Sequence, residues 1–228
     1  MVFVDFSNPF LRRYLAVEYL TAHRCGLGAL RRRLSALAEA ASHGGERRPL
    51  AAVLDIDEVI LCNIHMNSFH APAGAQGPEP IDFYACDYYP APGGAPWPRE
   101  DTRLNPLLPG ARELFKELRR LGVTPFLVTG RHESLRAETV ENLVFVGLAG
   151  DGGDAVLPLA ALASPEGGRL VMYPDARRPS SIGPWKEECR AAIDKTHRII
   201  VNVGDQVSDL GRYGDEQHYC HHPFYHTP

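Results

Sequence analysis

Residues 50–61 read LAAVLDIDEVIL, and the other elements of the chain are organised around how this stretch folds. Its first five positions are apolar and unbroken, which is the length and flanking of a strand buried on both faces. The run ends in Asp55 and Asp57. In an extended chain, residues two apart project to the same side, so the two carboxylates share one mouth while Ile56 turns the opposite way into the core. A second apolar run, HRIIVNV at residues 197–203, closes on Gly204 and Asp205, with Asp209 one helical turn further on.

Between these two runs, helix and strand patterns take turns. Leu114, Phe115, Leu118 and Leu121 recur at helical spacing over 111–121, with Gly122 as the stop. The strand VTPFLVT follows at 123–129, then a helix over about 134–146, a short strand near 155–157, the run RLVMY at 169–173 and a helix over 184–194. Strands alternating with helices of ten or more residues predict an α/β fold, a Rossmann-like parallel sheet with helices on both faces, whose ligands bind beyond the carboxyl ends of the strands. We read residues 1–228 as one domain. Two N-terminal helices are expected within residues 1–48: one starting at Ser7-Asn8-Pro9 and carrying Leu11, Tyr14, Leu15 and Tyr19, the other carrying Leu27, Leu30, Leu34 and Leu37 and ending at Gly44-Gly45. Arg31 to Arg33 belong to the solvated face of that second helix.

The 63–109 segment is different. It holds nine of the 19 prolines and shows no sustained period, so it reads as a Pro-rich, cap-like insertion. A loop-built lid is expected over 65–103, bringing Phe83, Tyr84, Tyr88, Tyr89 and Trp97, which either flank an aromatic or sugar-like leaving group or, more economically, anchor the insertion to the core. Lys and Arg total 24 against 28 Asp and Glu, a formal charge of −4, so no general positive field exists to hold nucleic acid or a membrane surface. The five cysteines are widely spaced and form no C-x-x-C pair, and no stretch approaches the length of a membrane span. The opening residues lack the apolar run of a signal peptide, and the expectation is a reduced, cytoplasmic setting. Cys62 reads as a small buried residue. Four of the ten histidines, His218, His221, His222 and His226, fall in the last eleven residues and read as a surface tail. The sequence leaves room for a homo-oligomer.

Six side chains stand where the strand-end rule places chemistry: Asp55 and Asp57 after the first strand, Thr129 at the end of the second, Lys186 in the first turn of a later helix, and Asp205 and Asp209 after the last strand. Each alone is weak. Together they are the parts needed to move a phosphoryl group through a covalent aspartate. A carboxylate such as Asp55 can attack phosphorus and split one hard hydrolysis into two steps. Attack of an anion on an anion requires a hard cation, here Mg²⁺, for which Asp55, Asp205, Asp209 and Asp57, the last through its carbonyl, are the candidate ligands. Asp57 can protonate the leaving oxygen and later take the proton of a water. Thr129, with the backbone amides of Gly130 and Arg131, would bind the transferring oxygens, and Lys186 would supply fixed positive charge.

The runs VLDIDEVIL, FLVTGRHESLRAETVENLVFVGL, PWKEECRAAI and IIVNVGDQVSDL resemble the four motifs of the haloacid dehalogenase-like (HAD) phosphohydrolases. Within these, they are similar to the acid phosphatase branch, subfamily IIIB, that includes plant vegetative storage proteins and bacterial class B enzymes. The resemblance covers about residues 50–210. It implies a phosphatase with Asp55 as nucleophile, Asp57 as acid and base, Thr129 and Lys186 as the motif-two and motif-three residues, and Asp205 and Asp209 as the final acidic pair. Val59 stands where many such phosphatases have threonine. The expected activity is Mg²⁺-dependent hydrolysis of a small phosphorylated metabolite. Its alternatives are phosphotransfer to an acceptor alcohol, a phosphorylatable receiver, and a binding or storage protein on a phosphatase scaffold. Dehalogenation is disfavoured because a halide leaves without needing the proton that Asp57 offers.

Overall fold

Leu50–Leu54 form a strand (β1) because five apolar residues in sequence can be hidden only between two layers. In the computed structural model of the chain, residues 9–43, 47–62, 105–152, 155–164, 168–177 and 182–220 are described, with side chains of the first helix from residue 19 onward. Thr124–His132 (β2), Leu170–Tyr173 (β3), Arg198–Gly204 (β4) and Glu216–Tyr219 (β5) complete a sheet ordered β3-β2-β1-β4-β5, with every neighbouring pair parallel. Around it lie α1 (Pro9–His43), α2 (Ala111–Arg120), α3 (Arg136–Phe145), α4 (Ala160–Ala163), α5 (Ile182–Asp194) and α6 (Val207–Leu210).

The pleat of β1 divides its side chains between two cores. Ala52, Leu54 and then Ile56 join Leu27, Leu30 and Leu34 of α1 and Leu114, Phe115 and Leu118 of α2. Ala51 and Val53 face the other way, among Phe126, Val128, Tyr173 and, from α5, Trp185 and Ile193. Asp55 continues that second parity, which turns it toward α5. The central position of β1 is therefore what places its end between loops from both halves of the sheet.

The structure corrects several expectations. The two N-terminal helices are one continuous helix of 35 residues. Gly26 and Gly28 do not break it: each costs about 1 kcal/mol in a helix interior, which the buried Leu27, Leu30 and Leu34 outweigh. Residues 155–157 form a single parallel bridge, Ala149 to Leu157, in place of a strand. The second strand does not end at Thr129, because β2 continues to His132 across a register irregularity. The sheet also gains β5, whose four residues EQHY are polar and half exposed because the strand sits at the edge. His218 is consequently part of the sheet and lies 3.6 Å from the position a Cβ on Gly26 would take. The other tail histidines, His221, His222 and His226, lie outside the described residues. So does the 63–104 stretch, with the expected lid and its aromatics Phe83, Tyr84, Tyr88, Tyr89 and Trp97. Among the described residues, no helix is long and apolar enough to cross a membrane.

The two ends of that insertion meet. The Cys62 N–H donates to the Pro106 carbonyl at 2.9 Å and the Leu108 N–H to the Ile60 carbonyl at 2.8 Å, with Leu61 and Leu107 bridged between them. Asn142 of α3, fully buried, then fastens the returning end: its Oδ1 accepts the Asn105 N–H at 2.9 Å and its Nδ2 donates to the Asn105 carbonyl at 2.8 Å. Replacing it leaves two buried backbone groups unpaired, a loss of about 2–3 kcal/mol. Asn142→Ala is expected to lower the urea midpoint by a corresponding amount, and an unchanged midpoint would show that the clamp is dispensable.

Candidate active site

The end of β1 is tied to β4 one residue beyond the strand, where the Asp55 N–H donates to the Val203 carbonyl at 3.0 Å. This bond sets Asp55 beside the exit of β4, where Gly204 and Asp205 follow. Gly204 is required by crowding: a Cβ there would lie 2.0 Å from the Cβ of Asp209. α6 folds back tightly enough to make this contact because Gln206 and Asp209 cap it reciprocally, the Asp209 Oδ2 accepting the Gln206 N–H at 3.0 Å. As a result Asp55, Asp205 and Asp209, all buried, each place a carboxylate oxygen within 4.8 Å of the others.

Lys186 enters this cluster from α5. Its Nζ lies 3.0 Å from Asp55 Oδ1 and donates a hydrogen bond to Asp209 Oδ1. Burial alone would pull the ammonium down, but Asp55 and Asp209 outweigh it and hold it above the ordinary lysine range. One lysine against three carboxylates leaves the cluster short of positive charge. Burial first, then Asp55, Asp209 and Glu58, push Asp205 up to about 8, with Lys186 opposing. Asp55 is also raised, by burial, although Lys186 works against the rise. Asp205 Oδ1 is buried without a hydrogen-bond partner. An acceptor-only oxygen cluster with an orphaned member suits a hard divalent cation, which prefers carboxylate oxygens.

Asp57 lies outside that cluster. Arg131 engages its carboxylate, donating from Nε to Oδ1 and Oδ2 at 3.1 and 3.0 Å and from Nη2 to Oδ1 at 2.6 Å. Thr129 is fully buried, and its hydroxyl accepts the Arg131 N–H at 3.2 Å. Gly130 borders Ile182, and a Cβ at this glycine would sit at an ordinary 3.8 Å from it. Neither crowding nor a positive φ demands glycine there.

Three supporting residues escape sequence reasoning. Glu58 has a left-handed φ of 57°, a conformation that persists in a side-chain-bearing residue only when its surroundings fix it. Here its N–H donates to the Leu61 carbonyl at 2.8 Å, and the Tyr19 hydroxyl of α1 donates to its Oε2 at 2.6 Å. Arg190 is buried in α5 and donates to the carbonyls of Asp209 and Ser208 at 3.1 and 2.8 Å, which steadies α6 from behind. Its position four residues after Lys186 was the available signal, since the two share one helix face. Tyr19 and Glu58 carry no such signal.

A family model described as HAD superfamily, subfamily IIIB (acid phosphatase), matches residues 15–224. The chain belongs to this family. Among relatives, it is 29% identical to acid phosphatase 1 of Solanum lycopersicum over 159 residues, 69% of this chain and 51% of that protein. It is 26% identical to vegetative storage protein 1 of Arabidopsis thaliana over 135 residues, 57% and 44% respectively. The chain thus spans about half the length of the curated relatives it matches. The class C acid phosphatase of Bacillus anthracis, solved also with tungstate bound, superposes with a TM-score of 0.56 over 90% of this chain and 71% of that one, at 20% identity, a likeness of fold.

The raised Asp205 value fixes the sign of a pH effect. Its folded state keeps the proton up to about 8 while an unfolded aspartate loses it near 3.8, so the stability present at low pH declines as pH rises through the upper value. His23, pushed down by burial to about 4 from 6.5, is neutral in both states above 6.5 and drops out of that window. Without divalent cation the melting temperature is therefore expected to fall between pH 6.5 and 8, and the increment produced by a divalent cation to grow, because protons compete for the same oxygens. Scanning calorimetry of the parent and Asp205→Asn checks this. The variant should flatten the decline and lose the increment, whereas a cation increment that shrank with pH would contradict the reading.

Proposed function

We propose that the chain is a Mg²⁺-dependent phosphomonoesterase acting on a small phosphate ester through an aspartyl-phosphate intermediate. The observation that carries this reading is the buried convergence of Asp55, Asp205 and Asp209, with Lys186 paired to Asp55 and Asp209 and Asp57 two residues beyond Asp55. Membership in an acid phosphatase family agrees with a phosphate ester as the substrate.

In this reading an Asp55 carboxylate oxygen forms a bond to phosphorus as the bond from phosphorus to the ester oxygen breaks, and the departing oxygen takes a proton from Asp57. Water then attacks phosphorus and gives a proton back to Asp57. The bond from phosphorus to Asp55 breaks, releasing inorganic phosphate and restoring both carboxyl groups. Lys186 restrains Asp55 and offsets charge on the transferring group, and the Thr129 hydroxyl, with the amides of Gly130 and Arg131, binds its oxygens. Asp55, Asp205 and Asp209, with the Asp57 carbonyl, would hold Mg²⁺, which when bound neutralises the repulsion between carboxylate and phosphate. A storage role does not by itself require this set, since an inert scaffold gains nothing from burying three carboxylates together. A reduced, cytoplasmic setting is part of this reading, supported by five widely spaced cysteines that form no C-x-x-C pair.

Purified protein assayed against a panel of phosphorylated metabolites should release phosphate only with Mg²⁺ present. Asp55→Asn should abolish turnover, and Asp57→Asn should slow it by about 100-fold or more, with both variants folded by circular dichroism. Phosphate release by Asp55→Asn at the parental rate would refute the assignment. Added alcohol that diverted phosphate into a new ester would identify the transferase alternative.

A further inference from the structure

Arg131 follows Thr129 in the second motif, where sequence reasoning assigns its backbone amide to the transferring oxygens and gives its guanidinium no role. The structure directs the guanidinium elsewhere. Nε and Nη2 are committed to Asp57, and Nη1 donates to Thr139 Oγ1 at 3.3 Å. Thr139 stands in α3 at 1% exposure, and the Arg131 side chain is 15% exposed, so both ends of this chain of contacts are set in packed surroundings. Burial lowers the guanidinium's proton affinity, and its contacts with Asp57 more than restore it.

We propose that Thr139 and Arg131 are positioning residues that fix the Asp57 carboxyl for proton transfer. The inference rests on the phosphomonoesterase reading and gives a part to Thr139, which lies within the second motif run but has no role assigned to it there. The geometry carries it. A carboxyl held at one point can still swing about its last torsion, whereas contact through Nε and Nη2 of a planar fork sets its plane. The fork is itself free to tilt unless its other arm is held, and the Thr139 hydroxyl is the partner on that arm. Oδ1 accepts from both Nε and Nη2, whereas Oδ2 accepts from Nε alone and keeps a lone pair with which to exchange a proton with the ester oxygen or the water. Turning Arg131 onto the phosphoryl group instead would strip Asp57 of its partner in a largely enclosed place, where a lost charged hydrogen bond is expensive.

The two roles separate by leaving group. A good leaving group departs without a proton and an alkoxide does not, so a misplaced Asp57 harms formation of the intermediate only for the alkyl ester. Hydrolysis of the shared intermediate needs Asp57 with either substrate. The test compares Thr139→Val, Thr139→Ser, Arg131→Lys and Asp57→Asn on glycerol phosphate and dinitrophenyl phosphate, together with the competitive inhibition constant of inorganic phosphate. For Thr139→Val and Arg131→Lys we expect kcat/KM to fall about 10-fold or more on glycerol phosphate and to stay within about 2-fold on dinitrophenyl phosphate. On the latter, kcat and KM should fall together. Inhibition by phosphate should be unchanged, and Thr139→Ser should regain most of the loss. An equal loss on both esters with weakened phosphate inhibition would overturn the inference in favour of a phosphate-binding Arg131, and so would Thr139→Val with parental kinetics. If Asp57→Asn shows the leaving-group dependence and the other variants do not, the inference alone fails. If the parent has no turnover, or Asp57→Asn loses equally on both esters, the acid role of Asp57 fails and takes the inference with it.

Discussion

Three carboxylates confined within 4.8 Å of one another, with one ammonium among them, are the constraint on which the rest of this structure depends. Like charges so close in a buried place repel strongly, and the chain answers in part by raising the proton affinity of Asp55 and Asp205. Lys186 does not balance the charge, and its removal would leave Asp55 and Asp209 buried without a cation of the protein's own. A site that holds excess negative charge by construction has an energetic reason to bind a divalent cation and, with it, an anion. The same excess makes the cluster a poor stabilising element, so the fold must hold it together from outside.

That support comes from both faces of the sheet. On the α5 side, Lys186 reaches the cluster and Arg190 anchors the carbonyls of Ser208 and Asp209, so that one helix face fixes both the cation and the loop carrying the last acid. On the α1 side, Tyr19 holds Glu58, whose left-handed backbone carries the chain away immediately after Asp57. The parity of β1 makes this two-sided arrangement possible, because Ile56 anchors the loop in the α1 core while Asp55 faces the other layer. Gly204 adds a steric condition: only a residue without Cβ allows Asp209 to fold back beside Asp205.

Much of this was legible before any coordinates. Asp55, Lys186, Asp205 and Asp209 could be nominated together because parallel strands deliver their carboxyl ends to one edge, and a polar residue following an apolar run marks that edge. The strands β1 to β4 were visible through their apolar runs. β5 was not, since an edge strand of EQHY has no face to bury and resembles a loop. Nor was the length of α1, because two glycines in a helical pattern read as an interruption when the leucines around them can be counted but their packing cannot. Tyr19 and Glu58 are 39 residues apart and meet only through the tertiary fold; the helical pattern marks Tyr19 as a core position and says nothing of its hydroxyl's partner, and Glu58 belongs to no such pattern.

Arg131 shows why residue type and position do not determine a role. A guanidinium two residues after a strand-end threonine suits an anion by charge, and sequence supplies only the charge. Its direction depends on the course of β2, which passes Thr129 and continues to His132 instead of turning at Gly130. The irregular register against β3 between Thr129 and His132 accompanies that extension. The Arg131 side chain reaches Asp57, beyond the end of the central strand, on one side and α3 on the other. A sharp turn after Thr129 would have put the same residue at the start of a helix with its side chain elsewhere. The partner of Asp57 is therefore decided by three residues of strand extension, a backbone property that the identity of the side chains does not encode.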